Sequence, residues 1–265
     1  MSRVGISTAC YYPKDTFESF CEILKADVPV AEVFMNSLTE ITPENLSRYK
    51  SEMQAHGTEI VSFHPYMSAF ESLLFFSEYT LRISDGIEFY KRFFEAAKVL
   101  GAKYFVFHGE KNVPTFSRGL SEDSVICEVY GRLIETAKSF DLVFTQENVN
   151  NHRSQSAEHI RKLSELVPEL CFTFDLKQAF RAKQNYADII SAMGKNLRHV
   201  HINDFGEHEC CLPFEGFADL PDVKKRLLDV GFCGDYILEV YRTCFNDLSH
   251  LCWSLEKTKQ LFACN

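Results

Sequence analysis

Long apolar runs are missing from this chain. No stretch approaches the roughly 20 apolar residues that a membrane-spanning helix needs, and the opening segment MSRVGISTACYYP lacks the apolar centre of a signal peptide. These absences predict a cytoplasmic protein. Positive charge is also scarce, since 28 Lys and Arg against 37 Asp and Glu leave a formal net charge of -9. Such a surface repels a phosphate backbone, which argues against nucleic acid as a partner. The ten cysteines include no C-x-x-C pair, which disfavours a zinc ribbon or a thioredoxin-type motif and predicts free, reduced thiols. Glycine-rich signatures are absent as well. The turn after the first apolar run reads Thr8-Ala-Cys-Tyr-Tyr-Pro13, where a dinucleotide-binding sheet would carry G-x-G-x-x-G. Without a phosphate loop, a phosphorylated substrate has little direct support.

What is present is a regular alternation. At 265 residues and 46% hydrophobic, the chain suits one large domain spanning 1–265 with a substantial core. Eight short apolar runs read as strands: Val4 to Thr8, Ala31 to Met35, Glu59 to His64, Tyr104 to His108, Val143 to Glu147, Cys171 to Asp175, His199 to Ile202 and Tyr236 to Glu239. Their centres lie roughly 27 to 45 residues apart, the length a crossover helix and two loops require between parallel neighbours. Helical patterns fill the gaps: Thr16 to Leu24, Pro43 to His56, Gly86 to Leu100, Ser121 to Phe140, Ser156 to Leu166, Tyr186 to Met193, Pro221 to Val230 and Leu248 to Phe262. Phe89, Phe93, Ala96, Ala97 and Leu100 recur at helical spacing and Gly101 suits a C-cap. Ser121 reads as an N-cap, and Thr42-Pro43 places proline at a first helical position. The sum predicts an α/β fold, a single (β/α)₈ TIM barrel, with an open doubly wound sheet as the rival.

Six predicted strands end on a residue that can bind metal or move a proton: His64, His108, Glu147, Asp175, His201 and Glu239. In a parallel barrel those ends share the face where active sites are built. A structural reading also exists, because acids and histidines often mark the passage from strand to loop. Three carboxylates after buried strands would nevertheless suffer a large desolvation penalty unless they shared a cation. With one imidazole added, Glu147, Asp175, His201 and Glu239 suit a divalent metal, Mn²⁺ first, with Mg²⁺, Co²⁺ or Zn²⁺ as alternatives. His64 and His108 could contact substrate, hold a second metal or satisfy a core hydrogen bond. Asn36, Tyr11 and Tyr12 follow the first two strands, and Asn148, Asn150, His152 and Arg153 follow the fifth. Of these Arg153 suits an acidic group. The aromatic stretch Pro65 to Ser84 reads either as a lid or as ordinary packing over the barrel.

The ordered series His64-Pro-Tyr, His108-Gly, Gln146-Glu147-Asn148, Phe174-Asp175, His201-Ile-Asn-Asp204 and Leu238-Glu239 resembles the xylose isomerase-like barrel superfamily. That group includes sugar isomerases and 3-epimerases, inosose dehydratase and endonuclease IV. Carried across from the epimerase branch, the resemblance implies Glu147, Asp175, His201 and Glu239 as metal ligands. It also implies Glu147 and Glu239 as the paired proton-transfer bases of a metal-dependent sugar isomerase or epimerase working through an enediolate. The implied partner is a small carbohydrate or polyol, and a homo-oligomer stays open. Two departures bear on the substrate. Gln178 stands where the epimerases carry a substrate-contacting His, and Glu207 with His208 stands where they carry an Arg. Gln178 can still hydrogen-bond a hydroxyl but adds no charge. A dehydratase or other lyase on the same site is the alternative. An endonuclease IV-like phosphodiesterase is disfavoured by Gln178 and by His208-Glu-Cys-Cys211, and a non-catalytic binding barrel has no use for both Glu147 and Glu239.

Overall fold

The computed structural model describes residues 2–77, 79–112, 121–207 and 209–263. Ten strands run in chain order as β1 (Val4–Ser7), β2 (Val30–Met35), β3 (Glu59–Pro65), β4 (Tyr104–Phe107), β5 (Val143–Glu147), β6 (Cys171–Asp175), β7 (Leu197–Ile202), β8 (Asp204–Phe205), β9 (Cys210–Cys211) and β10 (Tyr236–Leu238). Eight of them close a parallel barrel in the order β1-β10-β7-β6-β5-β4-β3-β2, while β8 and β9 form a small antiparallel hairpin above it. The chain is therefore a (β/α)₈ TIM barrel, and the open-sheet rival is excluded by the β1–β10 pairing.

The helices are α1 (Thr16–Leu24), α2 (Pro43–His56), α3 (Ser68–Phe75), α4 (Leu81–Leu100), α5 (Asp123–Ser139), α6 (Ala157–Leu166), α7 (Leu176–Arg181), α8 (Tyr186–Met193), α9 (Leu220–Asp229) and α10 (Leu248–Phe262). Capping chemistry explains several boundaries. Thr42 accepts from the Asn45 N–H ahead of Pro43, and α2 ends on Gly57 at φ 68°. Gly101 closes α4 at φ 76°. Two expectations need correction. Helix α4 begins at Leu81, because Gly86 lies inside it and not at its start: a Cβ there would meet the Phe75 ring at 2.7 Å. Nor does Ser121 cap α5. Its N–H donates to Glu110 Oε1, and Glu122 takes the cap position.

Helices α3 and α7 were not anticipated. The first turns the stretch 65–84 into packed structure. Phe75 is fully buried and meets Tyr90 and Phe107 edge-on, whereas Phe70 and Tyr79 stay exposed. Packing therefore describes Phe75 and Phe76, and Tyr66 alone of the stretch's large aromatics lines the central cavity. Among the described residues no helix is long and apolar enough to cross a membrane, and the nine described cysteines are free.

Candidate active site

Barrel register brings the predicted strand-end residues to one face. Asp175 lies beside His201 on the next strand, which in turn neighbours Ile237 of β10. Local bonds then decide which atom of each side chain faces the centre. Asp175 caps α7, its Oδ1 accepting from the Gln178 N–H and from Asn203 Nδ2, so its Oδ2 is left over. Asn148 fixes the same residue from the other side, bonding both its backbone N–H and its carbonyl at 2.7 and 2.9 Å. His201 gives Nε2 to Glu32 Oε2 at 2.9 Å, which turns Nδ1 toward the acids. From Nδ1 it is 3.0 Å to Glu239 Oε2, 3.5 Å to Glu147 Oε1 and 3.7 Å to Asp175 Oδ2.

Asp175 Oδ2, His201 Nδ1 and Glu239 Oε2 are all buried without a hydrogen-bond partner. Convergent orphan atoms of this kind are costly unless a proton or a cation lies among them. The donor set of carboxylates plus one imidazole fits a hard divalent ion. Glu147, Asp175 and His201 stand close enough to share one, and Glu239 Oε2 borders them. Burial works against the charge on His201, but Glu32 and Glu239 outweigh it and push the imidazole pKa well above its usual range; a cation among the acids would take the place of the Nδ1 proton. Burial would likewise raise Glu147, yet His201 and His64 keep its carboxyl well below the ordinary carboxylate range.

His64 and His108 sit on the other side of Glu147, with Nε2 atoms 3.6 and 3.9 Å from its Oε2. The three form a second grouping with metal-ligand spacing. Burial lowers the His108 pKa, and Glu71 more than reverses it, raising the group overall. These side chains floor a cavity of about 560 Å³ that Asn36 and Gln178 also line. The Asn36 amide is held by Thr16 and by the Phe34 carbonyl, and Gln178 Oε1 accepts from the Asn150 N–H.

Arg153 is not brought to this cavity. Its guanidinium is ion-paired with Glu110 at 2.8 Å and bonded to the Ser121 carbonyl, so the expectation of a substrate anchor is corrected to a loop brace. Tyr11 also points elsewhere, packing on Phe245. Glu207 is exposed, and His208 lies outside the described residues.

Three buried ionisable residues around the candidate site escaped the sequence reading. Glu32 was visible as the lone acid in the apolar run Val30-Ala-Glu-Val-Phe-Met35, and alternation in His199-Val-His201 places both imidazoles on one face of β7. Glu32 Oε2 accepts from both, at 2.9 Å each. Lys177 stands between Asp175 and Gln178 with its side chain 2% exposed, and Nζ lies 2.8 Å from Glu239 Oε1 and 3.3 Å from Asp175 Oδ2. Burial opposes its charge, but these two carboxylates keep it protonated. Glu71 hides in α3, where its carboxylate accepts from the N–H groups of His108 and Gly109 and from the Tyr90 hydroxyl.

The chain belongs to the xylose isomerase-like TIM-barrel family, whose sequence pattern it matches over residues 22–260. No curated protein matches it in sequence. Among solved structures it is similar to a D-tagatose 3-epimerase-like protein, with TM-score 0.79 at 19% identity, covering 98% of this chain and 97% of that one. The D-psicose 3-epimerase of Clostridium cellulolyticum H10 superposes with TM-score 0.77 at 13% identity over 99% and 100% of the two chains. A 3-keto-D-glucoside 4-epimerase from E. coli gives 0.74 at 16% identity over 98% and 100%. At these identities the likeness establishes the fold.

Proposed function

We propose that this chain is a divalent-metal-dependent epimerase or isomerase of a small sugar, with Glu147, Asp175, His201 and Glu239 holding the ion. The convergence of three buried atoms without hydrogen bonds, beside Glu147, which lines the cavity, carries this reading. The titles of the similar structures, sugar epimerases among them, support it.

A bound divalent ion supplies polarisation of adjacent carbonyl and hydroxyl oxygens, which stabilises an enediolate. The protein does the rest. Glu147 and Glu239 come from different strand ends and line the same cavity, so one carboxylate removes a proton from a sugar carbon and the other returns it to the opposite face. Glu32 keeps Nδ1 of His201 aimed at the ligand cluster by occupying Nε2. His64, His108, Gln178 and Asn36 offer hydrogen bonds to hydroxyl groups, and Tyr66 with Phe34 supplies apolar wall. The test is incubation with a panel of ketoses and aldoses in D₂O. Deuterium enters at carbon with Mn²⁺ present and not after chelation, and a panel with no exchange under either condition rejects the proposal.

A further inference from the structure

Two carboxylates of the ligand quartet already share a cation. Lys177 enters from the first turn of α7, and its ammonium lies between Glu239 Oε1 and Asp175 Oδ2, 5.1 Å from the centre of the Tyr241 ring. Lys177 also lines the cavity, together with Glu147 and Glu239. An ammonium has three donors; one goes to Glu239 Oε1 and Asp175 Oδ2 is paired by charge alone at 3.3 Å, so donors remain for a ligand oxygen.

Charge balance gives the position a purpose. Glu147, Asp175 and Glu239 together carry three negative charges, and a divalent ion cancels two. The remaining negative charge would oppose a sugar oxygen that becomes an anion in a buried site, where such repulsion is strong. Lys177 cancels it. The same charge, adjacent to the metal ligands, also repels the ion itself. Gln178 and Glu207, where the resemblance led one to expect positive groups, supply none, and Lys177 returns a positive charge one residue from Gln178.

We propose that Lys177 is a resident second cation of the site, weakening divalent-metal binding while lowering the negative charge that the loaded site presents to an oxyanion of the substrate. This rests on the metal reading above. The two effects run in opposite directions, which separates them from a merely structural role, since a damaged site would lose metal affinity and rate together.

The experiment is calorimetric titration of the chelator-stripped full chain with Mn²⁺, for wild type and for Lys177→Gln, whose amide keeps a hydrogen bond to Glu239. K177Q is expected to bind Mn²⁺ at least about tenfold more tightly: that is the repulsion between a unit and a double charge about 5 Å apart at the dielectric constant of water, and burial makes it larger. The rise in Tm on adding Mn²⁺ is expected to be larger in K177Q, and kcat on any accepted sugar lower. Lys177→Met is read in the same way should K177Q not fold. Equal or weaker Mn²⁺ binding by the variant, with wild type binding normally, overturns the role of Lys177 alone. Absence of binding to wild type and variant alike overturns the metal reading and this inference with it.

Discussion

Replacing Glu71 by alanine tests whether the segment after β3 is fastened to the barrel or free to move. The fully buried carboxylate accepts from the His108 N–H at 3.0 Å, the Gly109 N–H at 2.7 Å and the Tyr90 hydroxyl at 2.7 Å, and it lies 3.3 Å from His108 Nδ1. Alanine leaves two backbone donors and a phenol buried without partners, each costing about 1–3 kcal/mol. Allowing for water entering the space, Glu71→Ala should destabilise the fold by about 4 kcal/mol. For a chain of this size that is a fall in Tm of roughly 10 °C, read by calorimetry. The loss should also vary with pH. Because Glu71 raises the His108 pKa in the folded state, that part of the stability is fully present below the unfolded value near 6.5 and disappears as pH rises through the folded value. The deficit of E71A should therefore be greater at pH 6 than at pH 9. A fall in Tm under about 2 °C at pH 6 would refute the role assigned to Glu71.

Glu147→Gln and Glu239→Gln should each lower kcat by about 10²–10⁴, the usual worth of a positioned proton-transfer group, while far-ultraviolet circular dichroism stays unchanged. Asp204 accepts from the N–H groups of Phe205, Phe214, Gly216 and Ala218, so Asp204→Ala should cost about 3–5 kcal/mol in urea unfolding; a loss below about 1 kcal/mol argues against that loop clamp. Burial, with help from Arg153 and Lys162, depresses the His159 pKa to about 4. The folded state resists protonating it, so stability should fall as pH drops from about 6.5 toward 4. After discounting for its partial exposure, this amounts to about 1–2 kcal/mol, and His159→Gln should flatten the slope between pH 7 and 5.

The barrel was legible because its signals are local. Val143 to Glu147 and Cys171 to Asp175 show the same bounds in sequence and structure, and α1, α2, α8 and α10 also match to the residue. Departures arose where a distant partner decides the outcome. Gly86 reads as a boundary until the Phe75 ring is seen against it, and α3 is tied down by a carboxylate bonding to His108 just past β4, 37 residues away. At the site, strand ends announced the candidate ligands, since a chargeable group after an apolar run is visible in one dimension. Glu32 is a buried ion whose partners lie on β7, and Lys177 bonds Glu239, 62 positions later, so spacing alone did not connect them with the candidate quartet. Arg153 was misread for the same reason, because its demand for a carboxylate is met by Glu110, 43 positions earlier.

The central claim is a divalent ion among Glu147, Asp175, His201 and Glu239. The most direct measurement is an anomalous difference map from crystals soaked in Mn²⁺. A peak is expected within about 2.0–2.6 Å of Glu147 Oε1, Asp175 Oδ2, His201 Nδ1 and Glu239 Oε2. A map with no peak there, or with density confined to His64, His108 and Glu147, would contradict it.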